Sequence, residues 1–394
     1  MNYLILTDTF PPEIRSSAIL MHELANYISK DNNVDVITLQ PNNNLSSNIK
    51  LPRVTKINNL TVHRLSYFKT HNINYFLRGF LELLMPAYLM IYIFIFIKKK
   101  INFCITYSPP IFLGNIFFLL KKIYKAKIIL NVQDIFPQNA IDLGIIKNKL
   151  IIKFLKYIEK KNYKNSDLIT FHSNGNKNFF LKKNFELKKK TYVLNNWVQN
   201  KNIQFKKNYK DKSKLRFIFG GVLGPSQGLK NFLKGMIESK NKKNLILDFY
   251  GNGTEKKDLI EFVKLNNIDA NFYNFLDGEE YDKALLNADI GLVSLSSENK
   301  TPVVPGKLLV MMSRKLPIFA CTNVESDVAD ILNKSNSGVW SINNEIKDIA
   351  NKIDFLFDNF ELLYTYSENS YKYCLSNFDK NNILNKFLKK IEDL

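Results

Sequence analysis

The sequence predicts an α/β protein with two parallel-sheet domains in series. Short apolar runs alternate with helical patterns from the first residues onward, and a Lys-rich polar stretch interrupts this alternation near the middle of the chain. A second alternating set follows that stretch. With 394 residues, the chain is also too long for a single ordinary core, since domains hold roughly 150 residues.

The first half opens with a strand at residues 3–7, a helix at 17–30 and a second strand at 34–38. Strand, helix, strand is the opening of a parallel sheet that is covered by helices. Further strands are predicted at residues 103–106, 127–132, 168–172 and 192–195.

Residues 199–214 are polar and Lys-rich, and they form the best linker in the chain. Strands of the second set are predicted at residues 215–219, 245–250, 271–275, 290–293 and 316–320. Ligands of open parallel sheets bind beyond the carboxyl ends of the strands. Two such sheets facing each other would therefore place their loops around one cleft.

The net charge of +20 favours anionic partners, such as phosphorylated small molecules or an anionic membrane surface. No nucleic-acid partner is expected, because no zinc finger or basic zipper can be read in the sequence. The three cysteines, Cys104, Cys321 and Cys374, have no metal or disulfide spacing, which favours a reducing compartment. No secretory signal is expected, since residues 1–7 have a strand pattern.

Two apolar segments of the first half have alternative interpretations. Residues 83–97 fall short of the ~20 apolar residues that a spanning helix needs, so a buried helix or a helix lying on a membrane surface is favoured over a span. Residues 150–164 carry lysines between apolar residues at helical spacing. This second segment is expected either to lie on an anionic membrane or to be a solvated face over a core stripe.

The second half offers three loops at strand ends as candidate binding elements. The loop FGGVLGPSQGL and the turn Gly251-Asn252-Gly253 could bring backbone amides close to an anion, although packing turns are the alternative for both. In TPVVPGKL, a lysine begins a helix. Because the helix dipole disfavours a cation there, Lys307 is a better phosphate candidate than a surface lysine.

In the first half, Asp134 follows a predicted strand in an apolar setting, which suits the orientation of a sugar hydroxyl or of a reacting oxygen. A capping role is the alternative for this aspartate. The acidic loop Thr9 to Glu13 lies at the same predicted sheet edge. The four histidines show no metal spacing, and His172 is expected to be a core residue rather than a ligand.

Seven segments carry a resemblance to known enzymes: LILTDTFPPE, ITYSPPIFLG, NVQDIFPQNAIDLGII, GVLGPSQGL, FYGNG, ADIGLVSL and TPVVPGKLL. On these segments the chain resembles a glycosyltransferase of family 4 over nearly its whole length. It is most similar to the WbuB-type branch, whose members build O-antigen or capsule repeats. The run around Asp134 and Pro137 and the run ending at Lys307, which resembles the V-P-S-K of that branch, are the specific ones.

The resemblance implies the GT-B fold, in which two Rossmann-like domains face each other across a cleft. It assigns residues 1–198 to an acceptor-binding domain and 199–375 to a nucleotide-sugar-binding domain. It also assigns residues 376–394 to a terminal helix that crosses back onto the first domain. It implies retention of anomeric configuration, no bound metal and no permanent cofactor. The donor would be a nucleoside diphosphate sugar, with UDP as the expected nucleotide.

The resemblance also assigns roles to particular residues. The loop from Gly220 to Gln227 and Lys307 would meet the pyrophosphate, while Gly251, Gly253 and the stretch from Phe275 to Asp277 would flank the base and ribose. The expected catalytic residues are Asp134, Gln227 and Lys307. The expected donor-binding residues are Gly220, Gly221, Gly224, Gly251, Gly253, Phe275, Leu276, Asp277, Pro305 and Gly306.

The sequence departs from the family pattern at several positions. Pro302 and Val310 stand where the wider family has a pair of glutamates. Val222 and Gln227 replace the arginine and lysine that the family often has, and Gln227 agrees with the WbuB-type branch. In the first loop, Arg15-Ser16-Ser17 replaces a pair of glycines.

The expected function is transfer of a sugar, for example an N-acetylated deoxyhexose, to an undecaprenyl-linked sugar acceptor in surface polysaccharide synthesis. The expected location is cytoplasmic, at the inner face of the cell membrane. Two alternatives stay open: a sugar-nucleotide 2-epimerase of the same architecture, and a non-catalytic relative that binds a sugar nucleotide or a partner enzyme.

Overall fold

The computed structural model describes residues 1–13, 15–41, 51–68, 75–199, 213–276 and 278–394. The chain divides into two compact units. The N-terminal unit holds Met1–Ile141, Ile146–Asn195 and Leu384–Leu394, and the C-terminal unit holds Asp142–Ile145 and Asn196–Ile383. Each unit is built around its own parallel sheet, so the predicted fold class is confirmed.

In the described part of the N-terminal unit, the sheet has eight strands in the order β3-β4-β2-β1-β5-β6-β7-β8. All neighbours are parallel except β3 and β4, which form an antiparallel pair. The strands are β1 (Asn2–Leu6), β2 (Asn33–Leu39), β3 (Val54–Ile57), β4 (Leu60–Leu65), β5 (Phe103–Ser108), β6 (Lys127–Val132), β7 (Leu168–Phe171) and β8 (Thr191–Val193).

Helices cover this sheet, which explains why its central strands are buried and mostly apolar on both faces rather than alternating. They are α1 (Ser16–Ile28), α2 (Tyr75–Phe96), α3 (Phe117–Tyr124), α4 (Gln138–Asp142), α5 (Lys149–Asn165) and α6 (Asn174–Leu181), with 3₁₀ helices at Ile111–Ile116 and Phe185–Lys190. Helix α5 is capped by Asn148, whose side chain accepts hydrogen bonds from the N–H groups of Leu150 and Ile151.

Helix α2 is longer than the predicted apolar stretch, and it is buried along one side only. Met85, Leu89 and Ile93 recur at a spacing of four residues and are almost completely buried against the sheet. Within the described residues, Gly79–Phe96 is the stretch that is long and apolar enough to cross a membrane, yet only 39% of it is buried. The prediction of a buried helix is therefore correct for the inward side of α2 and wrong for its outward side, which is exposed.

Helix α5 contains the Lys-rich segment that had two interpretations. Its residues Leu155, Ile158 and Tyr163 are buried on the inward side of the helix, and they form the expected core stripe. Leu150, Phe154 and Tyr157 are exposed on the same helix together with most of its lysines. The outward side of α5 is therefore both basic and apolar.

The described C-terminal unit has a six-stranded sheet, wholly parallel, in the order β11-β10-β9-β12-β13-β14. Its strands are β9 (Leu215–Gly220), β10 (Leu245–Tyr250), β11 (Ala270–Tyr273), β12 (Ile290–Ser294), β13 (Ile318–Thr322) and β14 (Gly338–Ile342). Its helices are α7 (Leu229–Glu238), α8 (Lys256–Leu265), α9 (Gly278–Asn287), α10 (Gly306–Ser313), α11 (Asp327–Ser335), α12 (Ile346–Asp358) and α13 (Phe360–Phe378), with 3₁₀ helices at Pro225–Gln227 and Lys242–Asn244.

The last helix, α14 (Lys380–Glu392), supplies the C-terminal segment of the N-terminal unit. It buries Leu384, Phe387 and Ile391 along one side, and the ring of Phe387 stacks on Tyr192 near β8 with ring centroids 6.3 Å apart. This spacing of three and four residues is that of an amphipathic helix.

Three strands were not predicted from the sequence, namely β3, β4 and β14. Strands β3 and β14 are largely solvent-accessible edge strands, whose residues do not form a continuous apolar run. Strand β4 carries Thr61 and the basic residues His63 and Arg64 between its apolar residues, which hides its pattern. The predicted strands at 271–275 and 316–320 are present but shifted by one or two residues, to Ala270–Tyr273 and Ile318–Thr322.

Candidate functional site

The best candidate site lies in the C-terminal unit, where β9 and β12 are neighbours in the sheet. From β9 the chain proceeds to β10 and β11 on one side, whereas β12 leads to β13 and β14 on the other. This reversal of strand order is a topological switch point, beside which open α/β sheets bind their ligands. The loop after β9 contains Gly220 to Gln227, and it contacts the end of β12 because Ser294 Oγ donates a hydrogen bond to the Gln227 carbonyl.

Lys307 reaches the end of β9 from the first turn of α10. Its Nζ donates a hydrogen bond of 2.7 Å to Oε1 of Gln227 and lies 3.8 Å from the centre of the Phe219 ring. A Cβ at Gly221 would lie 3.0 Å from the same nitrogen, so the glycine leaves room for the lysine. The structure thus brings Gln227, Gly221 and Lys307 together, as the sequence predicts.

The electrostatic setting of Lys307 is unfavourable to its charge. Desolvation lowers the pKa of its ammonium from 10.5 to about 7, and no carboxylate pairs with it in the contacts described. The first turn of a helix adds the positive end of a dipole. A cation held there by an amide oxygen and an aromatic face is a site for an anion.

Three of the glycines predicted to approach an anion donate their backbone N–H groups to acceptors within the protein. Gly221 donates its N–H to the Tyr250 carbonyl, Gly251 donates to the Tyr273 carbonyl, and Gly253 donates to Oδ1 of Asn252. The alternative interpretation of these loops as packing turns therefore fits the three amides. A Cβ on Gly251 would meet the Gly221 carbonyl, and one on Gly253 would meet the Leu223 carbonyl, so these two glycines let two loops approach closely.

The remaining predicted donor residues lie at the ends of strands or beside α10. Pro305 precedes α10 and Gly306 begins it, while Gly224 precedes the 3₁₀ helix of the β9 loop. Phe275 is exposed just after β11, and Leu276 is partly buried against the core. Asp277 lies outside the described residues. The contacts described for Lys307 are those with Gln227, Phe219 and Gly221.

The family glutamate positions are occupied by residues that carry no charge. Val310 stands three residues after Lys307 on α10, where it packs against the core cluster that contains Leu308 and Met311. Pro302 is buried in the loop before α10. The environment of Lys307 is therefore more apolar than a site with a carboxylate at position 310 would be.

Several residues near the site were missed from the sequence. Phe219 lies beneath the Lys307 ammonium, and the buried Tyr281 hydroxyl lies where a Cβ on Gly220 would point. Asn343 follows β14, and its Nδ2 donates to Ser294 Oγ. Its Oδ1 lies 2.5 Å from the position of a Cβ on Gly228, whose φ of +59° already favours glycine. Asparagines and phenylalanines are too common in this chain for any of these to be singled out by sequence.

In the N-terminal unit, Asp134 follows β6 at the carboxyl edge of the sheet, as predicted. Burial raises the pKa of its carboxyl. Burial also raises the pKa of Tyr107, with further contributions from the charges of Asp134 and Asp8. His172 follows β7 and is buried, which lowers its pKa from 6.5 to about 4 and keeps the ring neutral at pH 7. His172 is therefore a core residue at this sheet edge.

Comparison with known proteins agrees with this geometry. Residues 200–373, which include most of the C-terminal unit, match the family model described as glycosyl transferases group 1. An uncharacterised glycosyltransferase of Methanocaldococcus jannaschii is 24% identical over 99% of this chain and 98% of its own length.

Two solved structures are similar over the whole chain. Sucrose-phosphate synthase from Thermosynechococcus elongatus superposes with a TM-score of 0.79 at 12% identity, covering 100% of this chain and 98% of that one. The HepE protein of Anabaena, solved in complex with UDP, has a TM-score of 0.71 at 11% identity, with both chains fully covered.

The fold is GT-B, as in the solved structures that are similar over the whole chain. Within that fold, the C-terminal unit holds the residues that match the glycosyl transferases group 1 model, and Lys307 is one of them.

Proposed function

We propose that this protein transfers a sugar from a UDP-sugar to a lipid-linked acceptor in the synthesis of a surface polysaccharide. The transfer retains the anomeric configuration and needs no bound metal, as in family 4 and its WbuB-type branch. The observation that carries the proposal is the Lys307 ammonium at the switch point of the second sheet. Among the residues that the structure describes, its partners are an amide and a ring and not a carboxylate.

The chemistry requires a group that stabilises the departing diphosphate. The bond between the anomeric carbon and the diphosphate oxygen breaks, a bond to the acceptor oxygen forms, and the acceptor hydroxyl loses its proton. Negative charge develops on the diphosphate, and a fixed ammonium in a site of low polarity stabilises that charge. Lys307 supplies the ammonium, and Gln227 fixes its position through the 2.7 Å hydrogen bond.

UDP is the proposed nucleotide because the structurally similar HepE protein is described in complex with UDP. Asp134 is proposed to bind an acceptor hydroxyl, because it is a carboxylate at the ligand-binding edge of the N-terminal sheet. The raised pKa of its carboxyl suits a group that accepts a hydrogen bond from a hydroxyl. An acceptor carried on a lipid places the enzyme at the inner face of the cell membrane.

The direct test is an assay of the purified protein with a panel of UDP-sugars and an undecaprenyl-diphosphate-linked sugar. We expect product only when one donor and the acceptor are both present, with slow donor hydrolysis when the acceptor is left out. Epimerisation of the donor without acceptor would instead establish the sugar-nucleotide epimerase. Binding of the donor with no turnover would establish a non-catalytic relative.

Binding of UDP should be linked to the uptake of a proton. Free Lys307 has a pKa of about 7, so most molecules carry a neutral amine at pH 8, and a bound diphosphate raises this pKa. We expect uptake of close to one proton at pH 8, measured by calorimetry in buffers of different ionisation enthalpy. Affinity should fall roughly tenfold between pH 8 and pH 9.

The UDP phosphates do not contribute to this uptake, since a terminal phosphate has its second pKa near ~6 and is fully ionised at pH 8. Lys307→Met is the control, because it has no group to titrate, and its heat of binding should not depend on the buffer. Equal heats of binding in all buffers for the wild-type protein would show that Lys307 does not bind UDP.

A further inference from the structure

The outward side of α2 is an apolar surface on the N-terminal unit. Large side chains between Phe80 and Ile95 point away from the core, and Ile91 and Phe94 are 61% and 63% exposed. We define this set as the α2 ridge, which comprises Phe80, Leu84, Tyr88, Ile91, Phe94 and Ile95. Contiguous apolar surfaces of this kind are rare on proteins that contact only water, and they mark sites of interaction.

The surroundings of the α2 ridge are basic. Lys98, Lys99 and Lys100 follow the helix directly and are exposed. Helix α3 packs on the same core cluster and exposes Phe118 and Ile123 beside Lys122. Apolar side chains flanked by cations, with no exposed acid on α3, match the acyl region and anionic headgroups of a bilayer.

The inward side of α2 belongs to the folded core of the unit. Met85, Leu89 and Ile93 pack in the cluster that contains β1 and β5 residues, so a helix that left the sheet would expose this core to water. A polar chain also holds α2 in place. The Tyr92 hydroxyl lies 3.1 Å from Nδ1 of His63, and Nε2 of His63 lies 3.1 Å from Oδ1 of the buried Asp35.

A crossing helix would have to break that chain. Departure of α2 would uncover the buried His63–Asp35 pair, and a hydrocarbon environment would leave the Tyr92 hydroxyl without its partner. Lying parallel to the membrane plane, α2 keeps both its core contacts and its polar chain while the ridge is buried in lipid.

We propose that the N-terminal unit docks on an anionic membrane by inserting the α2 ridge into one leaflet, with α2 lying in the membrane plane rather than crossing it. This deepens the proposed function, since it names the surface that brings the enzyme to a lipid-linked acceptor. The lysines after α2 and on α3 contact the lipid phosphates, and the ridge enters the acyl region.

The first test measures binding of the full-length protein to vesicles of phosphatidylglycerol and phosphatidylethanolamine by co-sedimentation. The variant Ile91→Glu/Phe94→Glu should bind at least tenfold more weakly than wild type. The matched control is Leu265→Glu/Tyr364→Glu, which changes two equally exposed apolar residues of the C-terminal unit and should bind like wild type. Circular dichroism and UDP binding verify that both variants fold.

Equal binding by the ridge variant and wild type would overturn the proposal. Neutral phosphatidylcholine vesicles should bind the wild type more weakly. Equal binding to neutral and anionic vesicles would show that the lysines do not contact the lipid phosphates. These measurements use neither donor nor acceptor, so they stand even if the protein transfers no sugar. If transfer is found, the ridge variant should lose activity toward a vesicle-bound acceptor but keep activity toward a water-soluble one.

The second test separates a helix in the membrane plane from a crossing helix. Leu77→Cys and Lys99→Cys place a thiol near each end of α2, and the native cysteines Cys104, Cys321 and Cys374 are buried. A membrane-impermeant maleimide added to intact cells should label neither variant, whereas the same reagent should label both in lysed cells. Labelling of one end from outside the cell would establish a span.

Discussion

Replacing Lys307 by Met should nearly abolish sugar transfer while making the ligand-free protein more stable. Removal of one preorganised group that stabilises a developing anion costs ~10²–10³ in kcat, so we expect a loss of about three orders of magnitude. Methionine has a similar length and no charge, which suits the Phe219 ring and the apolar residues of α10.

The gain in stability follows from the pKa of Lys307, which is about 7 in the folded protein and 10.5 in the reference state. Between these values the unfolded chain binds the extra proton, so the wild-type protein becomes more stable as pH rises from 7 toward 10.5. At pH 6 the folded protein carries the full desolvation penalty. Because Lys307 keeps some exposure to water, we expect Lys307→Met to gain on the order of 1–2 kcal/mol there.

Urea unfolding at pH 6 and at pH 10, combined with the transfer assay, measures both effects. The advantage of the variant should shrink at pH 10, where the lysine of the wild type is neutral in the folded state. Lys334→Met is the matched control on the exposed side of α11, and it should change neither activity nor stability. A destabilised Lys307→Met protein, or one with normal turnover, would show that Lys307 is a structural residue.

Replacing Asp282 by Ala should destabilise the C-terminal unit by about 3–5 kcal/mol, the cost of removing one partner of a buried ion pair. Asp282 lies on α9, and its Oδ1 accepts a hydrogen bond of 2.7 Å from Nε of Arg314, which follows α10. Both side chains are at most 10% exposed, so Arg314 would keep a buried charge without its main counter-ion. We expect the urea midpoint to fall sharply.

The pair between Lys334 and Asp330 is the matched control for that variant. Its atoms are 3.9 Å apart, and both side chains are about 70% exposed, so water and salt screen the attraction. Asp330→Ala should leave the urea midpoint unchanged. Equal effects of the two substitutions would show that burial does not determine the strength of the Arg314–Asp282 pair.

Much of the fold could be predicted because strands covered on both faces are apolar throughout. Strands β1, β6, β9 and β12 are predominantly apolar, and their order of appearance with intervening helices predicts parallel sheets. Edge strands such as β14 were missed, since a half-exposed strand carries polar residues and loses that pattern. The length of α2 was underestimated because its first turns, which include Arg78 and Glu82, are less apolar.

The candidate site was predicted in part. Lys307 could be singled out by its position at the start of a helix, and the structure places it against Gln227 as expected. Phe219 was missed because nothing in its strand distinguishes a core ring from one that faces a cation. The amides of Gly221, Gly251 and Gly253 were candidates for an anion, but each has a partner within the protein. Which acceptor reaches an N–H depends on the packing of the surrounding loops and strands.

The sequence by itself determined the class of fold and the division into two α/β units, and it singled out Lys307 as a candidate, because hydrophobic periodicity and helix starts are local properties. Only the tertiary structure decided that α2 buries one side and exposes the other, and that Lys307 has an amide and a ring as partners. The physical reason is that burial and pKa depend on neighbours that are distant in the chain, such as Gln227 for Lys307 and His63 for Tyr92.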